Sequence, residues 1–152
     1  MIGEIVYLDS SAIVKRYVEE PGSKDVREVY LKAYSGDLAI SFSTWNIGEV
    51  LGVLDRARVT GRLGSDEYAL ARRRFLLDTR RLYRIGRLLL VPVKRRILID
   101  SWGILERRHV YVADALQIAT AKFVGATRFL TGDKEMHKVA LDEGLNSTYL
   151  GP

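Results

Sequence analysis

The sequence contains no cysteine, few prolines and no long apolar run. Without cysteine there can be no disulfide bond, no thiol catalysis and no zinc site built on thiolate ligands. The longest apolar stretches, such as RLLLVPV at 87–93, are far shorter than the roughly 20 residues of a membrane-spanning helix. No basic region followed by an apolar stretch and a small-residue cleavage site opens the chain, so no signal peptide is predicted. We therefore expect a cytoplasmic protein that does not enter a membrane.

Histidine is also scarce. His109 and His137 are the only two, and neither has a partner at the spacing of a metal site. No Ser-His-Asp arrangement and no phosphate-binding glycine loop is visible. What remains is a basic chain, in which 24 Lys and Arg outnumber 19 Asp and Glu. That balance favours a polyanionic partner, although many small basic proteins bind no nucleic acid.

The length and composition suit one domain spanning residues 1–152, since 47% of the residues are hydrophobic. Five short apolar runs are interpreted as strands covered on both faces, because their apolar residues are nearly continuous rather than alternating. They lie at 4–8, 38–42, 87–93, 127–131 and 147–150.

Longer segments with helical spacing separate these strands. Helices are predicted from a Ser43 cap to about Thr60, from a Ser65 cap to Ile85, and over 112–124 and 134–143. The first two follow one another without a strand and form an inserted helical hairpin. The alternation predicts an α/β fold, a three-layer α/β/α sandwich around a mainly parallel sheet of about five strands.

Four acidic residues fall at strand ends or in early helical turns. Asp9 follows the first strand, Asp133 follows the fourth, and Glu49 and Asp114 lie near the start of their helices. Each taken alone is explained by helix capping or by the helix dipole. In a parallel sheet, however, these positions share the edge at which ligands bind, so we expect the four side chains to converge.

Four converging carboxylates repel one another unless a cation neutralises them. Oxygen ligands without cysteine favour Mg²⁺ or Mn²⁺ over zinc. A divalent cation beside a phosphate is suited to metal-assisted phosphodiester hydrolysis. The sequence leaves open whether one or two ions bind and whether the substrate is RNA or DNA.

The segments VYLDSSAIVK, NIGEVL, VADALQIATA and FLTGDKEM, in this order, resemble the four acidic motifs of the PIN-domain family. The subgroup they resemble most is the VapC-type toxin ribonucleases of prokaryotic toxin–antitoxin pairs. The resemblance implies a PIN-like fold, single-stranded RNA as substrate, and a Mg²⁺ or Mn²⁺ site formed by Asp9, Glu49, Asp114 and Asp133. Ser10 and Thr131 match supporting hydroxyl positions that can equally be local caps. Glu135 replaces a further acid of the family with a longer side chain, and its role is open.

The same resemblance implies a metal-dependent endoribonuclease that forms a homodimer and is silenced by a cognate antitoxin. The arginine-rich second helix of the hairpin is the candidate RNA-binding surface. Arg73, Arg80 and Arg84 share one side of it, opposite Phe75, Leu82 and Ile85. Such a face either tracks phosphates or is simply solvated and salt-bridged. Tyr68, Tyr83 and Trp102 are candidates for stacking on bases.

The sequence leaves two functions open besides the ribonuclease. A catalytically silent nucleic-acid-binding or interaction module would not need all four acids. An aspartyl phosphotransferase or phosphoacceptor domain would also place Asp at strand ends. The phosphatase pattern requires a second Asp two residues after Asp9, where Ser11 stands, and a receiver requires an acceptor Asp where Ser43 follows the second strand.

Overall fold

The computed structural model describes residues 3–152 and contains a five-stranded sheet in which every strand pair is parallel. The spatial order is β3-β2-β1-β4-β5. The strands are β1 Glu4–Leu8, β2 Leu38–Ser43, β3 Leu88–Val91, β4 Arg128–Thr131 and β5 Ser147–Tyr149. The predicted α/β fold with a five-stranded parallel sheet is confirmed.

The central strands are buried, as their apolar runs predict. All six residues of β2 are inaccessible, and so are Val6, Tyr7 and Leu8 of β1. Burial from both sides explains why these strands lack an alternating pattern. The third strand is shorter than predicted and ends at Val91, because Pro92 has no N–H to donate to a sheet ladder.

Helices cover both faces of the sheet and make three layers. Helix α1 packs on α3 and α3 on α4, whereas α5 packs on α6, and α7 covers β4 and β5. The helices are α1 Ser10–Val14, α2 Ser23–Tyr34, α3 Thr44–Val59, α4 Ser65–Arg84, α5 Arg95–Arg108, α6 Val112–Val124 and α7 Lys134–Asp142. The pair α3 and α4 is the predicted hairpin between β2 and β3.

Three details differ from the predicted pattern. Helices α2 and α5 were not among the predicted helices. Ile85 was placed on the packed side of the hairpin, but it is exposed because α4 ends at Arg84 and Ile85 is only its C-cap. Ser43 belongs to β2 and also caps α3, so the strand passes into the helix without an intervening loop.

The sheet order has a direction change at β1. The chain leaves β1 toward β2 on one side, and β4 returns to pair with β1 on the other. The crevice at the carboxyl ends of β1 and β4 is therefore the place where an open α/β sheet binds ligands. Within residues 3–152, no helix has the length and apolar character needed to cross a membrane.

Candidate metal centre

A cavity of about 140 Å³ lies at this crevice, and all four predicted acids line it. Asp9 comes from the end of β1, Asp133 from the end of β4, Glu49 from α3 and Asp114 from α6. Ser10, Ser11, Gln117 and Met136 complete its walls. We call this space the acid cavity. Chain topology thus brings together four carboxylates that the sequence separates by up to 124 positions (Asp9 to Asp133).

Asp9 is held rigidly by protein donors. Its Oδ1 accepts hydrogen bonds from the Ser11 hydroxyl at 2.6 Å and the Ala12 amide at 2.9 Å, so it is the N-cap of α1. Its Oδ2 accepts a hydrogen bond from Thr131 Oγ1 at 2.5 Å. The capping interpretation of Asp9 therefore holds alongside its place in the acid cavity, and Thr131 supports that carboxylate directly.

The loop after β4 is tied to α1 in the same region. The Gly132 amide donates to Ser11 Oγ at 2.8 Å, and the Asp133 amide donates to Thr131 Oγ1 at 3.0 Å. A Cβ at position 132 would lie 2.8 Å from Lys15 Cε, so a larger residue here would have to displace the end of the Lys15 side chain. Asp133 Oδ1 in turn caps α7 by accepting from the amides of Glu135 and Met136.

Glu49 is positioned by a buried polar network that sequence reasoning missed. The Asn46 side-chain oxygen accepts from the Ser43 amide at 2.7 Å and closes the capping box of α3. Its Nδ2 donates to Ser10 Oγ at 2.9 Å, and Ser10 Oγ donates to Glu49 Oε1 at 2.7 Å. Because the Asn46 amide occupies the acceptor side of Ser10, the hydroxyl proton is directed to Glu49. The sequence hint was an Asn one helical turn before an acid.

Gln117 extends the same network beneath the acid cavity. Its Oε1 accepts from Tyr7 Oη at 2.7 Å and from Asn46 Nδ2 at 2.8 Å. The Asn46 donor fixes the orientation of the amide, since a flipped Gln117 would set its own N–H groups against those of Asn46. Its Nε2 is buried without a partner among the residues that the structure describes, and such a group costs about 1–3 kcal/mol.

The electrostatics of the acid cavity disfavour negative charge. Burial raises the pKa of Asp9 from 3.8 to about 6, although hydrogen bonds from Ser11, Thr131 and Ala12 act to lower it. Burial also raises the pKa of Asp114, and the charges of Asp133, Glu49 and Glu135 raise it further. The carboxylates therefore repel one another as the sequence predicted, and a cation would relieve that repulsion.

The acid cavity offers only oxygen ligands, and several of them are uncommitted. Within residues 3–152, no hydrogen bond reaches Asp133 Oδ2, Glu49 Oε2 or either oxygen of Asp114. In the same residues, however, no three acidic or histidine side chains form a group that could hold a metal ion by themselves. The residues thus fit a hard cation that keeps several waters and contacts one or two carboxylates, which is the habit of Mg²⁺.

The raised pKa of Asp9 predicts an unusual pH dependence of stability. Since folding raises this pKa from 3.8 to about 6, the folded state binds the proton more tightly. The resulting stabilisation is full below about pH 4 and is lost as pH rises through 6. We expect the unfolding free energy of metal-free protein to increase by about 1 kcal/mol from pH 7 to pH 5. Urea titrations in EDTA measure it, and equal slopes for wild type and Asp9→Asn would contradict it.

The predicted RNA-binding arginines lie outside the acid cavity. Arg73, Arg80 and Arg84 are exposed on α4, and none of them lines the acid cavity. Glu135 is exposed in the first turn of α7 and lines a neighbouring cavity together with Asp114. Of the stacking candidates, Tyr68 is covered by the Arg58 guanidinium 4.5 Å from its ring centre, whereas Tyr83 and Trp102 are exposed.

The fold and the acid cavity define an α/β protein with a carboxylate cluster at the switch point of a parallel sheet. The sequence model of the PIN domain matches residues 6–141, and the chain belongs to the PIN-domain family. The predicted family is therefore confirmed. A search of curated proteins gives no significant match.

Solved structures share the fold at low sequence identity. PAE2754 from Pyrobaculum aerophilum is 17% identical with a TM-score of 0.63, and the match covers 95% of this chain and 89% of that one. VapC20 from Mycobacterium tuberculosis, a sarcin–ricin-loop-cleaving toxin, is 15% identical with a TM-score of 0.62, covering 92% and 95%. VapBC2 from Rickettsia felis, bound to a promoter DNA fragment, is 13% identical with a TM-score of 0.60, covering 95% and 98%.

Proposed function

We propose that this protein is a divalent-metal-dependent endoribonuclease that hydrolyses phosphodiester bonds of single-stranded RNA. The observation that carries the proposal is the acid cavity, in which four carboxylates from four separate segments meet at the ligand-binding edge of the sheet. Membership of the PIN-domain family supports a nuclease, and the likeness in fold to a sarcin–ricin-loop-cleaving toxin agrees with an RNA target.

The residues of the acid cavity have distinct roles in this proposal. Asp114, Glu49 and Asp133 have the uncommitted oxygens and would hold Mg²⁺ or Mn²⁺ directly or through water. Asp9, with both oxygens hydrogen-bonded, adds negative charge and joins the loops of β1 and β4. A divalent cation bound there would supply the positive charge that neutralises the scissile phosphate.

Asp114 is the carboxylate best suited to move a proton. It is half-buried, accepts no hydrogen bond within residues 3–152, and has a raised pKa because of burial and its acidic neighbours. A carboxylate with a pKa closer to neutrality is a stronger base toward the attacking water. We assign the removal of that proton to the Asp114 oxygen that would remain free when the other oxygen contacts the cation.

We further propose that the protein is the cytoplasmic toxin of a toxin–antitoxin pair. The similarity in fold to VapC20 and VapBC2 supports this assignment. The partner would be a cognate antitoxin that carries a cationic side chain into the acid cavity, where it would replace the metal charge. A homodimer is also proposed, and the exposed apolar side chains Ile99, Trp102 and Phe123 on α5 and α6 are consistent with it.

The RNA strand would approach across a positively charged surface. Arg73, Arg80 and Arg84 are exposed on α4 and form no ion pair within residues 3–152, so they are available for phosphates. A phosphoacceptor role for Asp9 is less well supported, because the phosphatase pattern requires a second Asp at position 11, where Ser11 instead donates its hydroxyl to Asp9 Oδ1.

The test is cleavage of single-stranded RNA by purified protein. We expect cleavage with Mg²⁺ or Mn²⁺, none in EDTA, and recovery when Mn²⁺ is restored. Glu49→Gln, purified in parallel, should lose at least about tenfold in rate, because it weakens binding of the cation. An unchanged rate in this variant would indicate a contaminating ribonuclease. Wild type that binds RNA but cuts none with any divalent metal would support the binding-module alternative instead.

A further inference from the structure

A second cavity, of about 330 Å³, opens beside the acid cavity. It lies between the segment that joins α5 to α6 and helix α7, and Asp114 and Met136 line both cavities. We call it the Tyr111 cavity, after the aromatic side chain in its wall. Its position makes it the space into which the parts of a substrate next to the reacting phosphate would extend.

The walls of the Tyr111 cavity are apolar below and charged above. Ile118, Met136 and Val139 are buried and form an apolar floor, whereas the Tyr111 side chain is 73% exposed. Arg108 and Lys138 add positive charge to the lining, and Asp114, Glu135 and Asp142 add negative charge. An apolar floor beside an exposed aromatic wall matches a nucleobase, since every base has a face that stacks on aromatic rings.

Tyr111 has no evident structural task. It occupies the N-cap position of α6, where Ser, Thr, Asp or Asn would accept a hydrogen bond from the first turn, and its side chain makes no capping bond. Its hydroxyl forms no hydrogen bond to any residue between 3 and 152. A large aromatic side chain is thus kept exposed at a place where a small polar residue would stabilise the helix.

The residue two positions earlier is equally unexpected. His109 ends α5 with φ 57° and ψ 44°, and it is the one non-glycine with positive φ among residues 3–152. Glycine is the usual residue at such a helix end because it has no Cβ to strain. His109 and Tyr111 therefore both stand where another residue type would serve the fold better, and both line the Tyr111 cavity.

The charges of the lining do not by themselves select a partner. Arg108 Nε already donates to the Glu143 carboxylate at 2.8 Å, and Lys138 shares the lining with Glu135 and Asp142. What favours nucleic acid over a partner protein is continuity with the acid cavity, because Asp114 and Met136 line both spaces and the proposed reaction places a phosphate in the first.

We propose that the Tyr111 cavity binds the base of a nucleotide adjacent to the phosphate in the acid cavity, with Tyr111 stacked on the base. This inference rests on the proposed ribonuclease function and deepens it. It assigns to Tyr111 the binding of single-stranded RNA through a base, independently of the metal.

The experiment compares two single-stranded oligoribonucleotides of equal charge, one intact and one with abasic positions. Binding is measured by fluorescence anisotropy at low salt in EDTA, where no cleavage occurs. We expect wild type to bind the intact strand more tightly, and Tyr111→Ala to lose about tenfold for that strand alone. Tyr111→Phe should stay within about twofold of wild type, because phenylalanine keeps the stacking ring.

The matched control is Leu31→Ala. Leu31 is a large, exposed side chain on α2 that lines neither cavity, so the intact strand should retain its advantage over the abasic one. With Mg²⁺ restored, Tyr111→Ala should raise KM for RNA far more than it lowers kcat.

Two results would overturn the inference. The first is equal affinity of wild type for both strands, or no measurable binding of either. The second is an unchanged preference for the intact strand in Tyr111→Ala, which would leave the cavity to a protein partner. A base preference that depends on Tyr111 in a protein that never cleaves RNA would instead support the binding site and reject the nuclease.

Discussion

Asp114→Asn is expected to lower the rate of RNA cleavage by at least about a hundredfold and, at the same time, to raise the melting temperature of the metal-free protein. The loss of rate follows from removing the carboxylate with two uncommitted oxygens from the proposed metal site. The gain in stability follows because burial and three neighbouring acids already raise the pKa of Asp114, so its charge opposes folding.

The stability gain should be modest, at about 0.5–1 kcal/mol, because Asp114 is only half-buried and solvent screens its neighbours. For a chain of this size that corresponds to a shift of about 2–4 °C or less. Differential scanning calorimetry in EDTA measures it. Added Mg²⁺ should raise the melting temperature of wild type but not of the variant, since only a bound cation stabilises the folded state.

Asp66→Asn is the matched control. Asp66 and Asp114 both lie in the first turn of a helix, α4 and α6 respectively, and both favour the helix dipole. Asp66 is exposed and does not line the acid cavity, so its replacement should lower the melting temperature slightly and leave cleavage unchanged. An equal fall in melting temperature for both variants would show that the carboxylates of the acid cavity do not repel one another appreciably. That result would contradict a site that needs a neutralising cation.

Glu143→Gln is expected to destabilise the protein by about 2–3 kcal/mol. The Glu143 side chain is 3% exposed and meets Arg107, Arg108 and Lys122 at 2.9, 2.8 and 3.1 Å. Burial alone would raise its pKa, but the hydrogen bonds from these three cations outweigh burial and lower the pKa from 4.5 to about 2. Glutamine keeps the shape but leaves three cations without the anion they share. Because these cations are 33–55% exposed and can be solvated, the cost is lower than that of breaking a fully buried ion pair.

The size of this effect should depend on pH. A lowered pKa contributes stability that is full above about pH 4.5 and is lost as pH falls toward 2. The difference in unfolding free energy between wild type and Glu143→Gln should therefore shrink between pH 6 and pH 3. Urea titrations at both values measure it, and a difference independent of pH would show that charge is not the cause.

Glu28→Gln provides the comparison for an ordinary ion pair. Glu28 pairs with Lys32 one turn away on α2, and both side chains are more than half exposed. Its replacement should cost less than about 0.5 kcal/mol. Lys122→Met should cost much less than Glu143→Gln, because it removes one of three cations and leaves the carboxylate paired.

The sequence predicted the sheet and the acid cavity well for a physical reason. Buried parallel strands are apolar throughout, and the residues that follow them must gather at one edge, so Asp9 and Asp133 could be placed together from order alone. Glu49 and Asp114 followed from helical spacing next to apolar residues. None of these inferences required side-chain conformations.

What the sequence did not predict depends on packing. Helix α5 presents Ile97, Ser101 and Ile104 to the core, and the serine interrupts the apolar stripe that would have marked a helix. The Asn46 network joins residues from β1, α1, α3 and α6, so no local pattern contains it. Tyr111 was missed because an exposed aromatic residue becomes informative only beside a cavity.

The pairing of β1 with β4 also determines when the acid cavity can exist. Leu8 pairs with Leu130, and Gly132 reaches Ser11 across 121 positions of chain. Contacts of such long range form late in folding, after the intervening loop has closed. A nascent chain that ends before residue 128 lacks both Asp133 and the strand that carries it. During translation, the acid cavity therefore cannot assemble until residues 128–133 have left the ribosome.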